Sequence, residues 1–531
     1  MKELYKELVF TSKSDYKDFF NEVQFDVTFT SPDSEKFTVP GFWAKDNVFK
    51  VRYDISIPGK HRYVTISNDK SLNGISGELV INKEKTDNPL YLHGPVYKKE
   101  QDMHLSHKDG TAFYWLADTW WMALTKRLSF PKDFETLLND RTEKGFNVVQ
   151  IIAGLYPDMT MFDPRGENEA GFPWKEDLSA LNPEYFDKAD DRIKMLVDKG
   201  VMPCIVGSWG FYMSFAGKDV LKKHWRYIIA RWSAMPVCWC VAGEANMAFY
   251  NDSVSYEDHI KQSRKDWNDM TVFIKQSDPY GRLITIHPFP ATDGYDQVEN
   301  GNLLDLNMLQ TGHGGFSSLV NQMKKIKKAV DRKVLPVINS EVCYEGICGS
   351  SYADTQRYIY LSDFLLGAAG HTYGANGIWQ INSEEMPYGA SPHGAHWGNT
   401  SWKEAMNLDG SKHISLCMKY LTSFEWWKFE YHPEWVETPC TLEACDGHFA
   451  AGIPKKVRVI YKPHFGGSFF GDINVLNIET DVSYSAYRFN PITGKETPLG
   501  HVIPDQEGKW KFPRVDAFQD WIYVLKVMLI K

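Results

Sequence analysis

The chain is predicted to be an α/β protein: a (β/α)8 TIM barrel flanked by N-terminal and C-terminal antiparallel β-sandwiches. Three observations predict this. From residue 111 onward, eight strand-length apolar runs alternate with helical patterns. Continuous apolar runs belong to strands buried on both faces, as in a parallel sheet, and eight such alternations over roughly 300 residues suit a barrel. On both sides of this stretch the texture changes to short alternating strands with Pro, Gly, Asn and Asp between them, as in sandwiches. No Gly-rich phosphate loop follows the first apolar run, although a doubly wound sheet would call for one.

Residues 1–95 supply VQFDVTFT, FKVRYDISI, HRYVTISN and GELVIN as the N-terminal strands. Residues 96–110 (VYKKEQDMHLSHKDG) are expected to be a polar connector at the start of a barrel domain spanning 96–430. The eight barrel runs are 112–118, 146–154, 201–209, 237–244, 282–289, 303–313, 334–341 and 371–380. Seven helices are predicted among and after them. PKDFETLLNDRTEK carries Pro near its first turn, and NPEYFDKADDRIKMLVDKG has Asn182 as N-cap and Gly at its end. The last, WKEAMNLDGSKHISLCMKYLTSF, is interrupted at Asp409-Gly410. Residues 431–531 form the C-terminal sandwich, from AAGIPKKVRVIYKP, GDINVLNI, YSAYRFNPITGKE, KWKFPRV and WIYVLKVMLI.

A 531-residue chain is too long for one core. Its 14% aromatic content, with 18 Trp and 27 Tyr, suits carbohydrate platforms as well as large cores. The net charge of −9 and the absence of a basic run argue against nucleic acid and anionic membranes as partners. No stretch of about 18 apolar residues occurs, so no membrane span is expected. The N-terminus lacks the apolar core of a signal peptide, which makes the chain as it stands cytoplasmic unless a leader has been removed. Eight cysteines without a CxxC pair do not suggest a disulfide framework; Cys440 and Cys445 are the one candidate pair.

In a barrel of this type the C-terminal strand ends form the active-site face. The first strand ends in Asp118, followed by Thr119, Trp120 and Trp121. The second carries Gln150 and leads to Tyr156 and Asp158. The third ends at Ser208 and Trp209, and the fourth at Glu244 with Asn246 beyond. The fifth ends at His287, the sixth leads to Gln310 and His313, the seventh ends at Glu341 with Tyr344 and Glu345 beyond, and the eighth ends near Trp379 and Gln380. A charge so close to a dry core needs partners or a task. A single glutamate at a strand end is ordinarily a surface cap. Two on separate barrel strands, amid many rings, are the apparatus for cleaving glycosidic bonds, one protonated and one ionised. Asp118, Trp120, Gln150, Tyr156, Trp209, Asn246, His287, His313, Tyr344 and Trp379 are the candidate sugar contacts, with a helix-capping role open for Asp118 and core positions open for the tryptophans. No HxH after the first strand, no HExxH and no GxSxG is found, so no metal, cofactor or serine triad is expected. Glu345 is a rival to Glu341.

The placement of the two glutamates resembles that in clan A glycoside hydrolases. The resemblance implies Glu244 as acid/base and Glu341 as nucleophile, with retention of anomeric configuration. Many clan members carry Asn just before the acid/base; Gly243 stands there, and Asn246 or His287 could make the missing contact to a sugar hydroxyl. The stretch FYWLADTWWMALTKRLSFPKDFETLLNDRTEKGFNVVQ is similar to the opening of the apiosidase-like domain of bacterial polysaccharide-degrading proteins, with its Asp-Thr-x-Trp and Gly-Phe-Asn-x-Val-Gln motifs. FTVPGFWAKDNVFKVRYDISIPGKHRYVTIS resembles the small β-sandwich that often precedes such barrels. The founding activity of that family releases apiose from a pectic side chain. Where the family often reads Gly-Gly-Asp, this chain reads Ala242-Gly243-Glu244. The expected function is therefore a retaining glycosidase acting on plant-type oligo- or polysaccharide. The alternative is a non-catalytic carbohydrate-binding protein on a degenerate barrel.

Overall fold

The computed structural model describes all residues except 1–2, 83, 248–255, 291, 393, 444, 465–472, 515–517 and 529–531. Each of the eight predicted runs holds one strand of a parallel sheet. They are Trp115–Thr119, Val148–Ile152, Met202–Val206, Cys238–Cys240, Leu283–Thr285, Asn307–Gln310, Val337–Glu341 and Gly370–Tyr373. Every residue of these strands is buried, which is why the runs read as continuously apolar. Counted along the chain, the strands lie side by side in the order 5-4-3-2-1-8-7-6. The seam between the fifth and sixth is closed mainly through Asp305. Its backbone N–H donates to Ile284 O at 2.8 Å, and its carboxylate accepts from Ile284 N at 2.9 Å. The Thr285 hydroxyl adds a bond to Leu306 O at 3.1 Å.

Helices Lys132–Glu143, Pro183–Asp198, Lys218–Trp232, Tyr256–Ser277, Phe316–Arg332 and Ala353–Leu366 cover the barrel. Asn182 caps the second by accepting from Glu184 N, with Pro183 in the first turn, as its sequence suggests. Between the fifth and sixth strands two 3-10 turns, Gly294–Gln297 and Gly301–Leu303, take the place of a helix. The final helical pattern splits into Trp402–Ala405 and Asp409–Leu421. Asp409 opens the second piece, where an acid in the first turn favours the helix dipole.

The stretch expected to be a polar connector is instead structured. Val96–Lys98 and Leu105–His107 pair antiparallel, and Leu105–His107 pairs onward with Ala112–Phe113, just before the first barrel strand. Leu105 and Phe113 anchor this small sheet in the barrel's own core.

The N-terminal sandwich stacks a three-stranded sheet (Lys6–Thr11, Val48–Tyr53, Phe42–Lys45) on a four-stranded one (Lys36–Pro40, Phe25–Thr30, Gly59–Ser67, Ser76–Ile81). Phe25, Val27 and Phe29 alternate inward, with Asp26, Thr28 and Thr30 on the half-exposed face. The C-terminal domain pairs a six-stranded antiparallel sheet with the short ladder Asn474–Val475 and Trp510–Lys511 over an apolar core of its own. Residues 471–472, 515 and 529–530 of its predicted strands lie outside the described residues. Cys440 and Cys445 are both free thiols.

Both flanks are fixed to the barrel by buried ion pairs. Arg52 of the N-terminal sandwich pairs with Asp190 and donates to Arg231 O at 2.8 Å; Arg231 and Asp190 lie on the helices after the third and second strands. Burial alone would raise the Asp190 pKa, but the Arg231 and Arg52 guanidinium groups outweigh it and hold it low. On the other side, Arg357 grips Asp520 with bonds of 2.7 to 3.0 Å, and Tyr420 stacks on Phe489 at 4.0 Å. Among the described residues no helix is long and apolar enough to cross a membrane.

Candidate active site

The two glutamates reach one cavity of about 90 Å³ at the C-terminal strand ends. Trp121, Asp158, Trp209, Glu244, Gln310, His313, Glu341, Tyr344, Trp379 and Trp397 are among the residues that line it. Glu244 follows the short fourth strand with φ +43°, a left-handed backbone that a non-glycine residue seldom adopts. Trp209 from the third strand end lies against Gly243, and any side chain at 243 would collide with its ring. The Trp209 indole N–H donates to Glu244 Oε2 at 3.1 Å.

Glu341 depends on an irregularity in its strand. The sixth and seventh strands slip register, so that Leu309 pairs with Asn339 but Gln310 with Glu341. In a regular strand Asn339 and Glu341, two apart, would share a face. Here Asn339 bonds outward to Asp363 on the covering helix, while Glu341 turns into the cavity. One extra residue in a strand re-aims the side chains beyond it, as bulges do beside functional sites.

A single Gln310 amide nitrogen lies 3.1 Å from Glu244 Oε1 and 3.0 Å from Glu341 Oε1. The two carboxylates therefore face each other across one side chain. His313 Nε2 lies 2.8 Å from Glu341 Oε1. His287 Nε2 lies 3.2 Å from Glu341 Oε2, an ion-pair approach that is off the hydrogen-bond line. These surroundings drive the two acids apart. Burial, then the Glu341 charge, raises the Glu244 pKa to about 7. Burial would raise Glu341 as well, but the His287 and His313 imidazoles outweigh it and hold its carboxyl well below the usual range. One group is thus set to carry a proton near neutrality while the other stays ionised.

Of the candidate sugar contacts, Trp209, His313, Tyr344 and Trp379 line the cavity with the two glutamates, and His287 sits behind Glu341. The others are turned elsewhere. Asp118 is fully buried, in an ion pair with Arg141 Nε at 2.6 Å, and accepts from the Trp120 indole at 2.9 Å, so both belong to the core under the first helix. Gln150 spans the barrel interior to Ser340 O at 2.9 Å. The Tyr156 hydroxyl pairs with that of Tyr185 at 2.6 Å, and Asn246 donates to Gln297 O and accepts from Ser263. Glu345 is buried and structural, holding the Tyr373 hydroxyl at 2.6 Å and Gly410 N at 3.0 Å.

Trp121, Asp158, Gln310 and Trp397 line the cavity without having been chosen from the sequence. The first three stand at strand ends already noted there; Trp397 lies in a long loop with no periodic signal. Its indole N–H donates to Asp158 Oδ2 at 3.0 Å, while the Trp121 indole donates to the Tyr344 hydroxyl at 3.2 Å. Among the described residues no group of three or more His, Cys, Asp or Glu is set to hold a metal ion.

The chain resembles several solved structures. One, a glycoside hydrolase, is 21% identical with a TM-score of 0.69, over 83% of this chain and 98% of that one. A glycoside hydrolase family 5 protein from Bacteroides vulgatus is 19% identical, TM-score 0.68, over 83% and 95%. A candidate glycoside hydrolase from the same organism is 18% identical, TM-score 0.70, and covers 99% of this chain and 98% of its own, flanking domains included. At these identities the likeness is one of fold. A comparison with curated proteins finds no match. Residues 5–68 match a domain family of unknown function, DUF5060. Residues 99–428 match the apiosidase-like catalytic domain. That match spans more than half of the chain and takes in both glutamates, so the protein belongs to the apiosidase-like family, on the fold of glycoside hydrolases.

Proposed function

We propose that the protein is a retaining glycosidase of plant-type oligo- or polysaccharides, with Glu244 as acid/base and Glu341 as nucleophile. The observation that carries this reading is the shared Gln310 nitrogen. Bonds of 3.1 and 3.0 Å from one atom keep the facing carboxylate oxygens within about 6 Å of each other. Retaining enzymes place these groups about 5–5.5 Å apart, whereas inverting ones need about 6.5–9.5 Å to admit a water.

The chemistry rests on the two protonation states. Protonated Glu244 gives its proton to the glycosidic oxygen as the bond to the anomeric carbon breaks. The Glu341 carboxylate attacks that carbon from the opposite face and forms a glycosyl ester. Glu244, now ionised, takes a proton from water, which displaces Glu341 and releases the sugar with its original configuration. The rings of Trp121, Trp209, Trp379 and Trp397 line the cavity and supply apolar surface for the sugar's C–H groups.

A panel of aryl glycosides and plant oligosaccharides, run with wild type, Glu244→Ala and Glu341→Ala, tests the reading. Turnover by the wild type, loss in both variants and restoration of Glu341→Ala by azide or formate support it. Turnover by Glu341→Ala without an added nucleophile removes the assignment.

A further inference from the structure

Gln310 is placed for a role of its own in that reaction. Its side chain is almost wholly buried, with 3% of the residue exposed, yet it lines the cavity between the two acids. A carboxamide nitrogen has two protons, enough to give one to each carboxylate at the observed distances. The amide oxygen, Oε1, is buried and has no hydrogen-bond partner in the protein. Reversing the amide would set that oxygen against ionised Glu341, so the orientation is fixed by the charge it faces.

A buried acceptor without a partner costs free energy. It is tolerated most readily where a ligand supplies the donor. The anomeric carbon must lie within reach of both carboxylates, and Gln310 is bonded to both. The nearest donor for Oε1 is then the hydroxyl on the ring carbon next to the anomeric one. Bonds to that hydroxyl strengthen in the transition state. The other groups that could have made this contact are absent or set back: position 243 has no side chain, Asn246 is committed to Gln297 and Ser263, and His287 is fully buried behind Glu341 and is not among the residues lining the cavity.

We propose that Gln310 is a positioning and specificity residue: its amide nitrogen holds the two carboxylates at their working separation, and its amide oxygen accepts the sugar hydroxyl adjacent to the anomeric carbon. The inference rests on the glycosidase reading above and deepens it.

The test compares wild type with Gln310→Met, which keeps the length but not the amide, and Gln310→Asn, which keeps the amide one carbon short. Thermal melts first establish that at least one variant folds. Substrates are the 4-nitrophenyl glycoside that the wild type hydrolyses fastest and its 2-deoxy counterpart. The hydroxylated substrate is expected to lose on the order of 10²-fold in kcat/KM, and the 2-deoxy substrate at least about tenfold less than that. The alkaline limb of the pH profile is expected to move upward, because a donor that favours ionised Glu244 is gone. Equal losses on the two substrates, or wild-type rates with an unmoved limb, overturn the proposal and leave the glycosidase reading intact. A wild type inactive on every glycoside overturns both.

Discussion

The indole of Trp209 donates to Glu244 Oε2 at 3.1 Å while its ring fills the space that a side chain at 243 would need. Glycine before the acid is thus a condition for seating the tryptophan that orients it. Gly243→Ala must displace the ring. It is expected to cost about 1–3 kcal/mol in chemical unfolding, as overpacking does. A small misplacement of a catalytic group can cost about 10²-fold, and kcat/KM should fall on that scale. Near-ultraviolet circular dichroism should report the shifted indole.

The opposed surroundings of the two acids fix the pH response. The acid form of Glu244 is required, and burial beside Glu341 raises its pKa to about 7, so kcat/KM should decline through the neutral region as pH rises. Because the folded-state value is raised, the stability this group contributes is complete below the ordinary carboxylate range and is lost as pH rises through about 7. Glu244→Gln should therefore be inactive yet more stable than wild type above neutrality, by on the order of 1–3 kcal/mol. Below pH 4 the two melting temperatures should converge.

His313 holds Glu341 ionised. Burial alone would lower the histidine's pKa, but contacts to Cys343 and the Glu341 carboxylate outweigh it and push it up to about 9. His313→Asn should raise the Glu341 pKa and move the acidic limb of kcat/KM upward. The stability that the protonated imidazole provides is full below its ordinary value and fades as pH rises through about 9. The melting-temperature loss in His313→Asn should accordingly be larger at pH 6 than at pH 10.

Asp118 should behave as a structural residue. Its ion pair with Arg141 is fully buried, and removing Asp118 leaves that buried guanidinium with Asp140 as its one remaining ion-pair partner among the described residues. Asp118→Ala should cost about 3–5 kcal/mol of stability, measured by urea unfolding. A variant of wild-type stability with a raised KM would instead return Asp118 to the sugar.

The two neighbouring glutamates of the seventh strand and its loop should separate cleanly. Glu345→Gln keeps an amide oxygen to accept from Gly410 N, and its amide nitrogen can donate to the Tyr373 hydroxyl in place of accepting from it, so it should retain turnover. Glu341→Gln should not. Steady-state rates for the pair decide it.

The fold was legible because burial on both faces writes itself as unbroken apolar runs. Val148–Ile152 and Met202–Val206 could hardly read otherwise. The same rule gave the height of the strand-end residues but not their direction. Trp120 and Trp121 are adjacent, yet one packs under Asp118 and the other lines the cavity. Asp118 is taken by an arginine on the next helix, a pairing that no local pattern reports. Gln310 meets Glu341 through a register slip, which strict alternation does not anticipate. Val96–Lys98 and Leu105–His107 are three residues each, too short for alternation to rise above a polar background.

The central claim is that Glu341 carries the sugar between the two chemical steps. Incubation with an activated 2-deoxy-2-fluoro glycoside of the preferred sugar, then peptide mass spectrometry, tests it most directly. A time-dependent mass gain of one fluoro-sugar on the peptide bearing Glu341, absent in Glu341→Gln, is the expected result. Label on a different acid, or none while the initial product shows inverted configuration, would contradict it.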